Sequence, residues 1–171
     1  MLAIFISVLL INCAALNATL IVNGGFETGD RSVWSWTPQS AVTDAVVSFD
    51  VFGSDGPSLA FQVNVTDAIP NSGGSLSQSS VFYSAGTAYT VSCEQAMQNI
   101  GPYLEETGTI EVRIGGQLLH RWSQGALGAN IFSGQQESKI FTPVIDDPCE
   151  LSFLFFASKS RLRQFNGLHV C

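Results

Sequence analysis

Leu20–Asp30 reads LIVNGGFETGD, and a tryptophan follows at position 34. A short apolar run, Leu20–Val22, meets a tight turn at Asn23-Gly24-Gly25, and Phe26 returns the chain to apolar character. The paired glycines suit φ > 0 because they lack the Cβ that makes this region costly. Such a turn leaves backbone carbonyls beside one carboxylate, Glu27, the makings of an oxygen cage for a hard cation such as calcium. The competing reading is a plain β-turn with a solvated glutamate.

Outward from that turn, short segments of period-two alternation recur between turn signals. They are 42–52, 58–65, 75–83, 88–97, the pair within 109–122, 137–145, 149–158 and 163–171. Ile110, Val112 and Ile114 alternate into Gly115-Gly116, the pattern of a two-residue hairpin. The stretch 95–106 has some helical character, but Gly101-Pro102 interrupts it, so it reads as a long inter-strand loop with at most one helical turn. About eight or nine short strands and no confident helix predict an all-β, single-domain β-sandwich.

The 171 residues suit one domain, and 46% hydrophobic against 12% charged residues allow a sizeable core. The formal charge is −7 with only 7 Lys and Arg, which offers no electrostatic footprint for nucleic acid or an anionic membrane surface. Residues 1–18, MLAIFISVLLINCAALNA, read as a secretory signal peptide, with Leu16-x-Ala18 or Cys13-x-Ala15 as the cleavage site. The n-region has no Lys or Arg, and the competing reading is a first domain strand. The domain is then expected at 19–171, secreted and without a membrane span, since no later segment reaches 18 apolar residues. Asn64-Val65-Thr66 is an N-glycosylation sequon on a strand whose alternation turns Asn64 toward solvent.

Removal of the signal segment leaves Cys93, Cys149 and Cys171. An oxidising compartment favours one bridge and leaves one cysteine over. Cys93 shares a strand face with Tyr89 and Val91, and Cys149 with Leu151, Phe153 and Phe155. Parity therefore favours Cys93–Cys149, although three pairings remain open by spacing. Cys171 then stays reduced or bridges to another chain.

Five short motifs come in an order that resembles the galactose-binding-like jelly rolls, and within them the CenC-type carbohydrate-binding modules. They are Asn23–Glu27 with Trp34, Gly56-Pro57-Ser58-Leu59, Leu76-Ser77-Gln78, Ala85–Ser92 (AGTAYTVS) and Asn166–Val170 (NGLHV). The resemblance implies a jelly roll and carbohydrate binding. It also implies a structural calcium held by Glu27 and Asn166, with carbonyls at Gly25 and in the Ser54–Gly56 turn at Asp55. Asn166 stands where the family has an aspartate, and the loss of that charge lowers the expected affinity. Trp34 matches the family's opening tryptophan and is expected in the core.

Sugars present apolar C–H faces to aromatic rings and hydroxyls to amides, carboxylates and guanidinium groups. The candidate ligand-binding residues are Trp36, Trp122 and Tyr103 as exposed rings and Arg113 as a polar fork, although packing accounts equally well for each ring. Catalytic patterns are missing: there is no G-x-S-x-G, H-E-x-x-H or P-loop. Glu105-Glu106 and Asp146-Asp147 are chain neighbours, and neighbours on a strand point to opposite faces, so neither is a glycosidase dyad by itself. The sequence thus points to a secreted, non-catalytic binder of polysaccharides or glycoprotein glycans. The rivals are a secreted structural or protein-interaction jelly roll, and a small glycoside hydrolase whose dyad comes from residues distant in sequence.

Overall fold

Gly115 and Gly116 adopt φ of 55° and 80°, the left-handed geometry a two-residue hairpin turn requires. Ile114 pairs with Gln117 across them, as the alternation of the flanking residues predicts. The computed structural model describes residues 2–7, 11–13, 21–26, 28–39, 42–49, 58–65, 72–99, 106–127 and 132–159. These form strands β1 (Leu2–Ser7), β2 (Ile11–Cys13), β3 (Ser35–Pro38), β4 (Val42–Phe49), β5 (Ser58–Val65) and β6 (Ser72–Tyr83). They continue as β7 (Tyr89–Asn99), β8 (Glu106–Ile114), β9 (Gln117–Leu127), β10 (Phe132–Phe141) and β11 (Asp147–Lys159).

Two antiparallel sheets result. The first runs β10-β7-β1-β5-β4, with β2 also on β7, and the second runs β3-β6-β11-β8-β9. Alternation explains why they stack. In the first sheet, Phe61, Val63 and Val65 on β5 and Val91, Cys93 and Met97 on β7 are buried. In the second, Ile110, Val112 and Ile114 on β8 and Leu151, Phe153 and Phe155 on β11 are buried. The two apolar faces close on one core, each large side chain contributing about 1.5–3 kcal/mol of transfer free energy. The protein is the expected all-β sandwich.

Phe61 sits at the meeting point. Its ring lies 6.0 Å from Phe26, 5.2 Å from Trp36 and 6.3 Å from Phe155. It therefore joins the opening loop, β3 and β11. Gly73 and Gly74 on β6 make room for this packing. A Cβ on Gly73 would overlap the Phe155 carbonyl, and one on Gly74 would overlap the Trp36 ring.

Several expectations need correcting. The strand expected at 88–97 extends to Asn99 as β7, with Gln95, Ala96 and Met97 buried, so the loop expected from residue 95 does not begin there. The expected strand 137–145 lies earlier, at Phe132–Phe141, and Thr142-Pro143 ends it, because proline cannot donate to a ladder. The Cys93–Cys149 bridge is not formed. Parity placed both residues correctly toward the core, but parity fixes a face and not a level. Cys93 stands opposite Glu137 within the first sheet, and Cys149 opposite Val81 in the second, beside the β8–β9 turn. Residues 2–7 take part in the first sheet as β1, between β5 and β7. The expected strand 163–171, with Cys171, lies outside the described residues. Among the described residues, no helix is long and apolar enough to cross a membrane.

Candidate ligand-binding face

The opening turn is built to hold itself. Positive φ falls on Asn23 (53°) and Phe26 (55°) rather than on the two glycines between them. Asparagine tolerates this region because its short side chain bonds locally. Asn23 Nδ2 donates to the carbonyls of Asp30 (3.1 Å) and Ser32 (3.2 Å), and Asn23 Oδ1 accepts from the Thr28 amide (3.2 Å). The Asn23 carbonyl accepts from the Phe26 amide (3.2 Å) and from Trp34 Nε1 (2.9 Å). Phe26 and Trp34 are buried, so the loop is plugged into the core as the resemblance implied for Trp34. Gln78 fastens it to β6: its side-chain amide donates to the Val22 carbonyl (2.8 Å) and accepts from the Val22 amide (3.1 Å).

Of the four residues expected at a calcium ion, Gly25 is half-buried in this turn. Glu27, Asp55 and Asn166 lie outside the described residues. Among the described residues, no group of three or more His, Cys, Asp or Glu is placed to hold a metal. Within the same turn the carbonyl of Asn23 is occupied twice by its own loop.

Chemistry concentrates instead on the outer face of the second sheet. The β8 residues between the core positions are Thr109, Glu111 and Arg113. Register carries these rows across the sheet: Thr109 to Phe156, Glu111 to Leu154 and Arg113 to Ser152 on β11. They continue to Gly73, Ser75 and Ser77 on β6, and then to Thr37 and Ser35 on β3. On the other side, Ser123 and Arg121 of β9 stand opposite Thr109 and Glu111.

Glu111 is the centre of this face. It is 3% exposed, and each carboxylate oxygen is held by a different guanidinium. Arg113 donates to Oε2 from Nε (2.9 Å) and Nη2 (2.6 Å). Arg121 donates to Oε1 from Nε (2.8 Å) and, more closely still, from Nη2. Burial by itself raises the Glu111 pKa, but the bonds and charges of the two arginines outweigh it and hold the carboxyl below its ordinary value. The group is a fixed anion between two cations: the Arg121 side chain is 55% exposed, whereas Arg113 is more covered and also donates from Nη1 to the Gly116 carbonyl (3.1 Å). Beside this charged row, Leu154 and Phe156 are half-buried, and Gly73 next to Phe156 adds no side chain to that strip. Thr109 Oγ1 and Ser123 Oγ are 3.0 Å apart, and Ser35, Thr37, Ser75 and Ser77 continue a surface of short hydroxyls.

No protein-family model matches the chain, and no curated protein does. Three solved structures are similar. One is the enzymatically active domain of bacteriophage CBA120 tailspike protein 4, at 13% identity and TM-score 0.44, covering 82% of this chain and 21% of that one. Another is arabinose-bound α-L-arabinofuranosidase MgGH51, at 14% and 0.32, covering 71% and 23%. The third is TmCBM61 in complex with β-1,4-galactotriose, at 12% and 0.30, covering 82% and 98%. The chain thus spans about a fifth of the length of the first two.

The residues expected to bind ligand separate in space. Arg113 stands on the outer face. Trp36 and Trp122 do not: Trp36 packs edge-on against Phe61 and Phe155, and Trp122 leans on the core from β9 opposite Ile110. Tyr103 lies outside the described residues. Glu111, Arg121 and Phe156 are the residues that sequence reasoning missed. A signal was present, since Glu111 and Arg113 share the polar parity of a strand whose other parity is Ile110, Val112 and Ile114. His120 is half-buried on the core-facing parity of β9 and does not belong to this face.

A second concavity lies at the end of the sandwich near the β8–β9 turn. It is a cleft of about 290 Å³ lined by Ile114, Gln117, Phe141, Pro143, Val144 and Ile145, among others. Val144 is 91% exposed, and Phe82 and Ile145 are more than half exposed.

Proposed function

We propose that the chain is a secreted, non-catalytic glycan-binding protein whose binding surface is the outer face of the second sheet. The supporting observation is an apolar strip, Leu154 and Phe156, running beside the Glu111–Arg113–Arg121 cluster and a field of serine and threonine hydroxyls. A pyranose needs such a surface: a ring to lie under its C–H face, and fixed donors and acceptors for its hydroxyls. Because the two arginines are already oriented by Glu111, less conformational freedom is lost when a ligand arrives. The motif order that resembles the galactose-binding-like, CenC-type modules supports the same reading. The glycosidase alternative gains nothing here, since Glu111 is held as an anion by two cations and is not a proton donor at neutral pH.

The test is retention of the protein on a panel of soluble and insoluble polysaccharides, with Phe156→Ala and Arg121→Gln in parallel. Retention by one polymer class, weakened at least ten-fold in both variants, is the expected result. Folded protein that no polymer retains would remove the proposal. One observation favours the protein-interaction reading: Val144 and Ile145 are apolar side chains held in solvent at the end cleft. In that case the variants above leave binding unchanged and Val144→Asp abolishes it.

A further inference from the structure

One guanidinium is enough to neutralise Glu111, and the second sheet provides two. The carboxylate is buried, and Arg113 and Arg121 each hold one of its oxygens. The cluster therefore carries one surplus positive charge, on a chain whose formal charge is −7. Covering the sheet does not call for that surplus, because a single bidentate arginine already satisfies a carboxylate.

The surplus falls on Arg121. A guanidinium is planar and offers two forks, one from Nε with a neighbouring Nη and one from the two Nη groups. Arg121 sets the first fork, Nε and Nη2, on Glu111 Oε1. The second fork stays open: among the described residues no acceptor meets Nη1, and the side chain is exposed. Arg113 differs, since its Nη1 is occupied by the Gly116 carbonyl. Glu111 thus fixes the plane of Arg121 before anything binds, which makes the open fork a preorganised bidentate donor.

Its surroundings leave that charge unopposed. Thr109 and Ser123 lie beside the cluster, and Leu154 stands across Glu111 on β11. The next carboxylate on the outer parity of β11 is exposed Glu150, two strands and four residues from Arg121. That is roughly 16 Å by strand spacing and rise, beyond the screening length of about 8 Å. Glu137 lies on the inner side of β9, with His120. Arg121 reaches across to Glu111 on β8, so its fork is about one strand spacing, roughly 5 Å, from Leu154.

We infer that the face takes a uronic acid: the sugar carboxylate sits on the open fork of Arg121 while the ring lies against Leu154 and Phe156. The inference rests on the glycan-binding reading above and names the class of sugar. Planar carboxylate and planar fork match in two parallel bonds. A densely sulfated polymer is disfavoured, because its capture depends on a long-range positive field that this acidic chain lacks.

The test measures retention of the full chain on glucuronoxylan and on polygalacturonate, each beside its carboxyl-reduced form, with heparin and the neutral polysaccharides in parallel. Arg121→Gln and Arg121→Lys are compared with the parent, their folding checked by near-ultraviolet circular dichroism. The parent is expected to hold at least one uronate polymer ten-fold better than its reduced form. Both variants should fall to the level of the reduced polymer, lysine included, because it keeps the charge and loses the fork. Equal retention before and after carboxyl reduction would overturn the uronate assignment and leave glycan binding standing. So would stronger retention on heparin than on either uronate polymer. Folded parent that no polymer retains, acidic or neutral, would remove both readings.

Discussion

Tyr83 and Glu111 are both polar and both buried, and they are expected to respond in opposite ways to removal of their polar atoms. The Tyr83 hydroxyl has no hydrogen-bond partner among the described residues. Burial, with smaller contributions from Cys149 and Tyr89, pushes its phenol well above the ordinary range. Its ring meets Tyr89 and Phe141 edge to face at 5.1 and 5.4 Å. Tyr83→Phe keeps the ring and removes an unsatisfied group, so stability in a urea titration should rise by about 1 kcal/mol. A fall of that size would show that the hydroxyl is satisfied. Glu111 has the reverse character. Its folded pKa lies below the unfolded value, so its contribution is complete above the ordinary glutamate pKa of about 4.3 and is lost as pH falls through the depressed folded value. Glu111→Gln should therefore melt well below the parent at pH 7, and the gap should close toward pH 3. A gap of equal size at both pH values would contradict the ion-pair account.

At the scale of elements, Gln78 imitates a strand. Its side-chain amide gives Val22 both bonds that a neighbouring backbone would give, so the opening loop is tied to β6 without joining the sheet. Gln78→Ala loses both bonds, and the expected cost is about 2 kcal/mol, with faster hydrogen exchange at the Val22 amide. Unaltered exchange there would mean that Phe26 and Trp34 alone hold the loop. Gln78 also shows how much the sequence discloses. Alternation made the strands legible, because the two parities of 58–65, 109–114 and 149–157 differ sharply in polarity. The strand reading of 88–97 is met, but Gly101-Pro102 also suggested a loop from residue 95, whereas β7 runs to Asn99. Alternation also could not say at what level a residue sits, which is why Cys93 and Cys149 share an interior without meeting. The proposed face was half legible. Arg113 was singled out as a polar fork, but Arg121 is brought opposite Glu111 by a β8–β9 register that shifts between Val112 and Arg113. Such a bulge leaves little trace in spacing.

For the whole molecule, one core means one transition. Phe61→Ala removes a ring that touches the opening loop, β3 and β11 together, and should cost about 3–5 kcal/mol. Far-ultraviolet and near-ultraviolet signals should shift to the same new midpoint; two separate midpoints would show that the sheets melt independently. The order of strands has another consequence. Each sheet ends in two outer strands, and an outer strand is a template on which further copies can polymerise. Among the described residues, three of the four are guarded. β3 is short and ends in Pro38, β9 is bulged against β8 and carries Arg121, and β10 carries Glu137 and Lys139. β4 runs Val42–Phe49 in unbroken register with β5, and its one charged residue, Asp44, is paired with Arg31 at 3.0 Å. That single carboxylate is the gatekeeper of an otherwise uncharged edge. Its loss would turn the margin of a stable sandwich into the growing end of a fibre.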